Sequence, residues 1–139
     1  MKKGYELLAH TADIGVTACG RDMKEAFVNA ARGLFGIIAE PHGVQARESI
    51  PVEVSAPDRE ALLVNWLNEL IYLSSTREML FSNFDIKSLS DTELSATVRG
   101  EKIDRSRHRL IREVKATTYH KLDVEQDADG WRVQVIFDI

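Results

Sequence analysis

The fold of this chain is decided by its final stretch, Trp131-Arg132-Val133-Gln134-Val135-Ile136-Phe137-Asp138-Ile139. Apolar and polar residues alternate up to Phe137, which predicts a β-strand with one buried face. Chain ends usually fray unless other elements hold them, so we expect a sheet to fix this strand. The strand would then present two negative groups side by side, the Asp138 side chain and the α-carboxylate of Ile139.

A tight turn precedes this strand and predicts a β-hairpin. The turn is Asp127-Ala128-Asp129-Gly130, with glycine where a positive φ costs little. The stretch Tyr119 to Gln126 supplies the other strand. Further strands are predicted upstream, at Tyr5–Leu8, Ile14–Ala18 before a break at Gly20, Glu48–Ser55, Met79–Leu89 and Glu93–Arg99 before Gly100.

Two segments carry helical periodicity. Asp22 opens the first helix, with Glu25 in capping-box spacing, and Asp58 caps the second. Each has an apolar stripe, formed by Met23, Ala26, Phe27, Ala30, Leu34, Ile37 and Ile38 in the first helix and by Leu62, Leu63, Trp66, Leu67, Leu70 and Ile71 in the second. The opposite side of the second helix is interpreted as a solvated face of Asn65, Asn68, Glu69 and Tyr72.

Together these elements predict one α+β domain over residues 1–139, with two main helices packed on a largely antiparallel sheet of about six or seven strands. The composition, 44% hydrophobic and 29% charged residues, is typical of a soluble globular protein. No apolar run approaches the roughly 20 residues that cross a bilayer, and no signal peptide is recognised. We therefore expect a cytoplasmic protein that does not contact membranes; its oligomeric state is left open.

The charge distribution is uneven. A net charge of −4 argues against a protein that coats nucleic acid in bulk. One basic segment, residues 99–121, nevertheless contains Arg99, Lys102, Arg105, Arg107, Arg109, Arg112, Lys115 and Lys121. Two interpretations remain open from the residues alone: a docking surface for an anionic partner, or a solvated charged connector, which is the more common case.

A metal site is the chemistry that the sequence offers. Asp13, in His10-Thr11-Ala12-Asp13 between the first two strands, would add a third carboxylate to Asp138 and the chain end. Such an oxygen set suits Ca²⁺, Mg²⁺ or Mn²⁺, while His10 and His120 leave a borderline metal open. The alternative is that the three carboxylates lie on different edges and never meet. Neither a P-loop nor a nucleophile elbow is present.

Motifs along the whole chain, taken in order, resemble the archease family. They are His10-Thr11-Ala12-Asp13, Glu25-Ala26-Phe27, Leu62-Leu63-Val64-Asn65-Trp66-Leu67-Asn68-Glu69-Leu70, Gly100-Glu101, Arg107-His108, Glu113-Val114-Lys115-Ala116-Thr117-Thr118-Tyr119-His120 and Asp138-Ile139. Each motif alone is weak, whereas the ordered set is specific.

The resemblance implies a non-enzymatic accessory protein. Archeases assist the RtcB-type RNA ligase in tRNA splicing and RNA repair by promoting its guanylylation with GTP and its repeated turnover, so RNA would be contacted only indirectly. The family's metal site, commonly filled by calcium, maps onto Asp13, Asp138 and Ile139, with His10 and His120 as possible supporting groups around them. Lys115 and, more weakly, Arg107 are candidate ligase-activating residues.

Two other function classes stay open. A metal-dependent phosphoesterase would use the same carboxylates with a bound water and would turn over alone. An RNA-binding, chaperone-like modulator of tRNA-modifying enzymes would use the basic segment and bind RNA in a salt-sensitive way.

Overall fold

The structure is a computed structural model that describes residues 4–9 and 13–139. His10, predicted as a possible supporting group of the metal site, lies outside the described residues. In the described part the elements are β1 (Tyr5–Ala9), β2 (Asp13–Gly20), α1 (Met23–Ile38), β3 (Glu48–Ser55), α2 (Arg59–Arg77), β4 (Met79–Leu89), β5 (Glu93–Lys102), β6 (Ala116–Asp127) and β7 (Gly130–Asp138). Neither helix has the length and hydropathy needed to cross a bilayer.

The strands form two antiparallel sheets where the sequence predicted one. A four-stranded sheet has the order β1-β2-β7-β6, and a three-stranded sheet has the order β3-β5-β4. Helix α1 packs on β2 and β4 and so bridges the sheets, while α2 contacts β6 and β3. The α+β class is confirmed. The division into two sheets depends on pairing between distant strands, which alternation within each strand does not specify.

Both predicted helix caps are confirmed. Asp22 Oδ1 accepts the Glu25 backbone N–H at 2.8 Å, and Asp58 Oδ1 accepts that of Ala61 at 2.8 Å. The helices also contact each other through the fully buried Trp66, whose indole N–H donates to the carbonyl of Phe27 at 3.1 Å. This bond satisfies the polar atom of a large core side chain.

The outer face of α2 is less solvated than its composition indicated. Asn68 Oδ1 accepts the backbone N–H of Thr117 at 2.7 Å, and Asn65 Nδ2 donates to the carbonyl of Ser55 at 2.9 Å. These amides tie α2 to β6 and β3, the edge strands on either side of it. Tyr72, by contrast, remains 61% exposed.

Several strand boundaries differ from the prediction by one or two residues, β2 for example continuing through the predicted break to Gly20, and two differ by three residues. Strand β6 begins at Ala116 instead of Tyr119, because Ala116 already pairs with Asp138; residues 119–122 form a bulge between the pairs Thr118↔Ile136 and Asp123↔Gln134. Strand β5 continues through Gly100 to Lys102. Gly100 does not end β5, because its lack of a side chain lets β4 approach closely. A Cβ at this position would be 1.9 Å from the carbonyl oxygen of Leu80 on β4.

Candidate functional site

The end of the four-stranded sheet brings two carboxylates together. Asp13 at the start of β2 is the direct partner of Asp138 at the end of β7. Directly opposed residues of an antiparallel pair have Cβ atoms about 4.5–5.5 Å apart, on one face of the sheet. The alternative in which these carboxylates never meet is therefore wrong for Asp13 and Asp138.

Asp13 also has an unsatisfied oxygen. Its Oδ1 is buried and finds no hydrogen-bond partner among the described residues. A buried carboxylate oxygen without a donor is costly, and in a folded protein such an atom calls for an explanation such as a bound ion. Two carboxylates facing each other, one with a free buried oxygen, fit a hard cation.

The chain end lies next to this pair. The Ile139 side chain is partly buried against the core, which fixes the residue that follows Asp138. Within the described residues no group of three or more His, Cys, Asp or Glu side chains is placed to hold a metal. The α-carboxylate of Ile139 as a third anionic ligand stays a prediction. His120 lies in the exposed bulge of β6, its backbone N–H bonded to Thr118 Oγ1.

Lys115 is positioned beside the two aspartates through its backbone. Its N–H donates to the carbonyl of Asp138 at 2.8 Å, and the next residue, Ala116, pairs with Asp138 in the sheet. The Lys115 side chain is exposed. It lies at an open groove of about 450 Å³ whose other wall includes Asn68 and Tyr72 of α2. A cationic side chain is thus available at the same edge as the carboxylates.

The basic segment is not a uniform cationic surface. Half of its eight cations are engaged: Arg99 with Asp85 and Asn83, Lys102 with the Arg77 carbonyl, Arg107 with Glu101, and Arg109 with Glu40. Within residues 4–9 and 13–139 no side-chain partner is found for Arg105, Arg112, Lys115 and Lys121. The unpaired positive charge of the basic segment is therefore confined to these four residues.

A second polar cluster was not recognised as a site from the sequence. Glu101 is only 3% exposed, yet its carboxylate is surrounded by donors. Oε2 accepts the backbone N–H of Gln45 at 2.6 Å and faces His108 Nε2 at 3.1 Å. Oε1 contacts the guanidinium groups of Arg107 and Arg47. The motif Gly100-Glu101 was noted, but these partners come from two loops, residues 39–47 and 103–115, which sequence spacing does not reveal.

The geometry fixes the tautomer of His108. Its side chain is fully buried, and Nδ1 accepts the backbone N–H of Asp104 at 2.9 Å. Nε2 therefore carries the proton and donates it to Glu101. Every group facing the Glu101 carboxylate is thus a donor.

These donors hold the pKa of Glu101 at about 2, below its ordinary value of 4.5. The backbone N–H of Gln45 is the largest favourable cause, and burial opposes it. A lowered pKa means that the carboxylate stabilises the fold above pH 4.5 and that this contribution is lost as pH falls towards 2. The difference in unfolding free energy between wild type and Glu101→Gln should therefore shrink from pH 6 to pH 3 in urea titrations.

The matched control for this pH dependence is Glu125→Gln. Glu125 also pairs with an arginine, Arg132, at 2.8 Å, but both side chains are about half exposed. Exposed pairs contribute little to stability, so we expect this variant to follow the wild-type pH profile closely. A wild-type minus Glu101→Gln difference that stays constant with pH would contradict the low pKa.

Arg107, predicted as a candidate ligase-activating residue, is also part of this cluster. Its guanidinium pairs with the buried Glu101 and with Asp104, while its side chain is 41% exposed. Replacing Arg107 by alanine would remove a donor from a buried carboxylate, which destabilises the fold.

Comparison with known proteins shows one family over nearly the whole chain. Residues 5–139 match the model of the archease protein family (MTH1598/TM1083). The chain is 40% identical to protein archease of Methanosarcina acetivorans, covering 99% of this chain and 97% of the relative, and 39% identical to protein archease of Pyrococcus abyssi, covering 99% of each.

Two solved structures are similar as well. The solution structure of protein 1598 from Methanobacterium thermoautotrophicum superposes with a TM-score of 0.80 at 34% identity, covering 99% of each chain. The crystal structure of an archease from Thermotoga maritima, described as a possible chaperone, gives a TM-score of 0.60 at 25% identity, covering 96% of each chain.

Proposed function

Because the chain belongs to the archease family, we propose that it is an accessory protein that activates an RtcB-type RNA ligase in tRNA splicing and RNA repair. It would promote guanylylation of the ligase with GTP and allow repeated turnover. The observation that best supports this proposal is the placement of Asp13, Asp138 and Lys115 at one edge of the sheet.

The edge is open to solvent, which is typical of groups that act in a partner's active site and not of a self-contained active site. Asp138 and Lys115 are exposed, and the groove beside Lys115 is open. Charge-stabilising groups act most strongly in an enclosed site that excludes water. We propose that the ligase supplies this enclosure when the edge docks against it, much as an arginine finger is supplied in trans.

Each residue has a distinct role in this proposal. Asp13, Asp138 and the Ile139 carboxylate would hold a divalent cation, with Ca²⁺ as the first candidate and Mg²⁺ or Mn²⁺ as the others. When bound, the cation supplies positive charge to neighbouring phosphate oxygens. Lys115 would add a mobile ammonium group that can bind a phosphate of the nucleotide or of the ligase intermediate.

The proposal is tested by measuring guanylylation of an RtcB-type ligase with GTP and divalent metal, with and without this protein. We expect faster formation of the ligase–guanylate intermediate and more RNA joined per ligase molecule. The same rate at every concentration of this protein would reject the proposal. Nucleotide or RNA hydrolysis by the protein alone would favour the phosphoesterase instead.

The chaperone-like function is a second candidate. It is supported by the four cations that have no side-chain partner in the described part of the chain, and by the exposed Tyr72 and Tyr119. Aromatic side chains beside cations can bind single-stranded RNA by stacking. This function predicts RNA binding without ligase, weakening steeply as salt rises. RNA affinity measured at two salt concentrations separates the two candidates.

A further inference from the structure

Residues 103–115, here called the strap, connect β5 to β6 and end at Lys115. Apart from a single bridge between Leu110 and Ala39, the strap belongs to no sheet. It is held by backbone bonds to other elements: Ile103 N–H to the Glu78 carbonyl, Glu40 N–H to the Arg109 carbonyl, Ile111 and Arg112 N–H to the Ile38 carbonyl, and Lys115 N–H to the Asp138 carbonyl.

The first half of the strap is anchored by charge. Arg107 and His108 both contact the buried carboxylate of Glu101, which stands on β5. The second half crosses the C-terminal end of α1, where it satisfies the Ile38 carbonyl, and then buries Val114. Bonds to other elements therefore hold the strap near its start, in its middle and at Lys115.

We propose that Glu101 is a positioning residue that, through Arg107 and His108, fixes the strap so that Lys115 lies beside Asp138. The consequence for activity rests on the proposed function, whereas the structural part does not. Glu101 is not a catalytic residue in this scheme, because it is buried on β5 and acts only through Lys115.

The chemistry of the cluster requires a carboxylate in place of an amide. Gln45, His108, Arg107 and Arg47 all present donors to Glu101. A glutamine has the same shape, but its NH₂ group is itself a donor. Either orientation of that amide puts NH₂ against two donors. Glu101→Gln should therefore weaken the contacts on one side of the carboxylate group without changing side-chain volume.

The first test is amide hydrogen exchange, which needs no ligase. In Glu101→Gln we expect the Lys115 amide to lose protection by roughly ten- to a hundredfold, the effect of losing a hydrogen bond to a charged group. The amide of Leu67, in the buried part of α2, should change much less. Glu125→Gln, the exposed Glu–Arg pair, is the control and should leave both amides unchanged.

The second test separates positioning from general destabilisation. Glu101→Gln should lower the maximal rate of ligase guanylylation at saturating protein. In a Lys115→Ala background it should cause no further loss, because residues that act through one another are not additive. Additive losses would show that Glu101 acts independently of Lys115.

The proposal is overturned if protection of Lys115 and Leu67 falls equally, or if neither changes. Should Glu101→Gln fail to fold, Arg107→Gln removes a single partner from the carboxylate and should lower Lys115 protection in the same direction, to a smaller extent. A wild-type protein that does not stimulate the ligase would reject the proposed function while the exchange result still decides the role of Glu101.

Discussion

Replacing Lys115 by alanine is expected to abolish most of the stimulation of the ligase, by roughly a hundredfold in guanylylation rate at saturating protein. Removing one group that stabilises charge in an enclosed site has an effect of this order. The fold should be unchanged, because the Lys115 side chain is exposed and its structural contact to Asp138 uses the backbone. Single-turnover guanylylation and thermal unfolding measure the two expectations.

The control for Lys115 is Lys87→Ala. Lys87 is also exposed, but it lies on β4 in the other sheet, where it pairs with Asp85. We expect full stimulation from this variant. If Lys115→Ala stimulates the ligase as well as the wild type does when both are saturating, Lys115 contributes at most to docking, since a rim charge changes mainly the association rate.

The second large effect concerns metal binding. Asp13→Asn, Asp138→Asn and an extension of the chain beyond Ile139 should each weaken Ca²⁺ binding by at least about ten- to a hundredfold, since even partners outside the ligand set have effects of that size. Each change removes one anionic ligand from the proposed set. Calorimetric titration with Ca²⁺ and Mn²⁺ measures the loss, and Asp85→Asn, in the three-stranded sheet, is the control.

Asp13→Asn should also change the stability of the fold, in opposite directions with and without metal. Without a cation, Asp13 and Asp138 are like charges directly opposite each other, an arrangement that destabilises a sheet. Asp13→Asn should therefore be more stable than wild type in a chelator and less stable in Ca²⁺. If the stability change does not reverse its sign between chelator and Ca²⁺, the two carboxylates do not share a cation. If extended and unextended chains bind Ca²⁺ equally well, only the terminal carboxylate is excluded as a ligand.

Local patterns in the sequence predicted most elements of the fold. The caps at Asp22 and Asp58 and the strands Glu48–Ser55 and Met79–Leu89 agree with the structure, because capping chemistry and alternation act within a few residues. The bulge at 119–122 was missed because its side chains keep the composition of a regular strand. The sheet division was missed because it depends on pairing over long separations.

In the candidate site, too, one part could be predicted from the sequence and another part could not. Asp13 and Asp138 could be predicted to meet because both stand at strand ends, and the structure pairs them. The Glu101 cluster could not be predicted, since Gln45 and His108 reach it from separate loops with no periodicity between them. Composition gave no signal either, because β5 carries three other charged residues, Glu93, Arg99 and Lys102, so Glu101 is not unusual there.

Strand β7, the last element of the chain, lies between β2 and β6 in the four-stranded sheet. Contacts between residues so far apart in sequence slow folding, because the intervening chain must lose entropy before any pairing energy is gained. Until β7 is in place, β2 lacks one neighbour and Asp13 has no Asp138 opposite it. The two carboxylates can face each other only after β7 has joined the sheet, so a copy in which β7 is misplaced would not present them together.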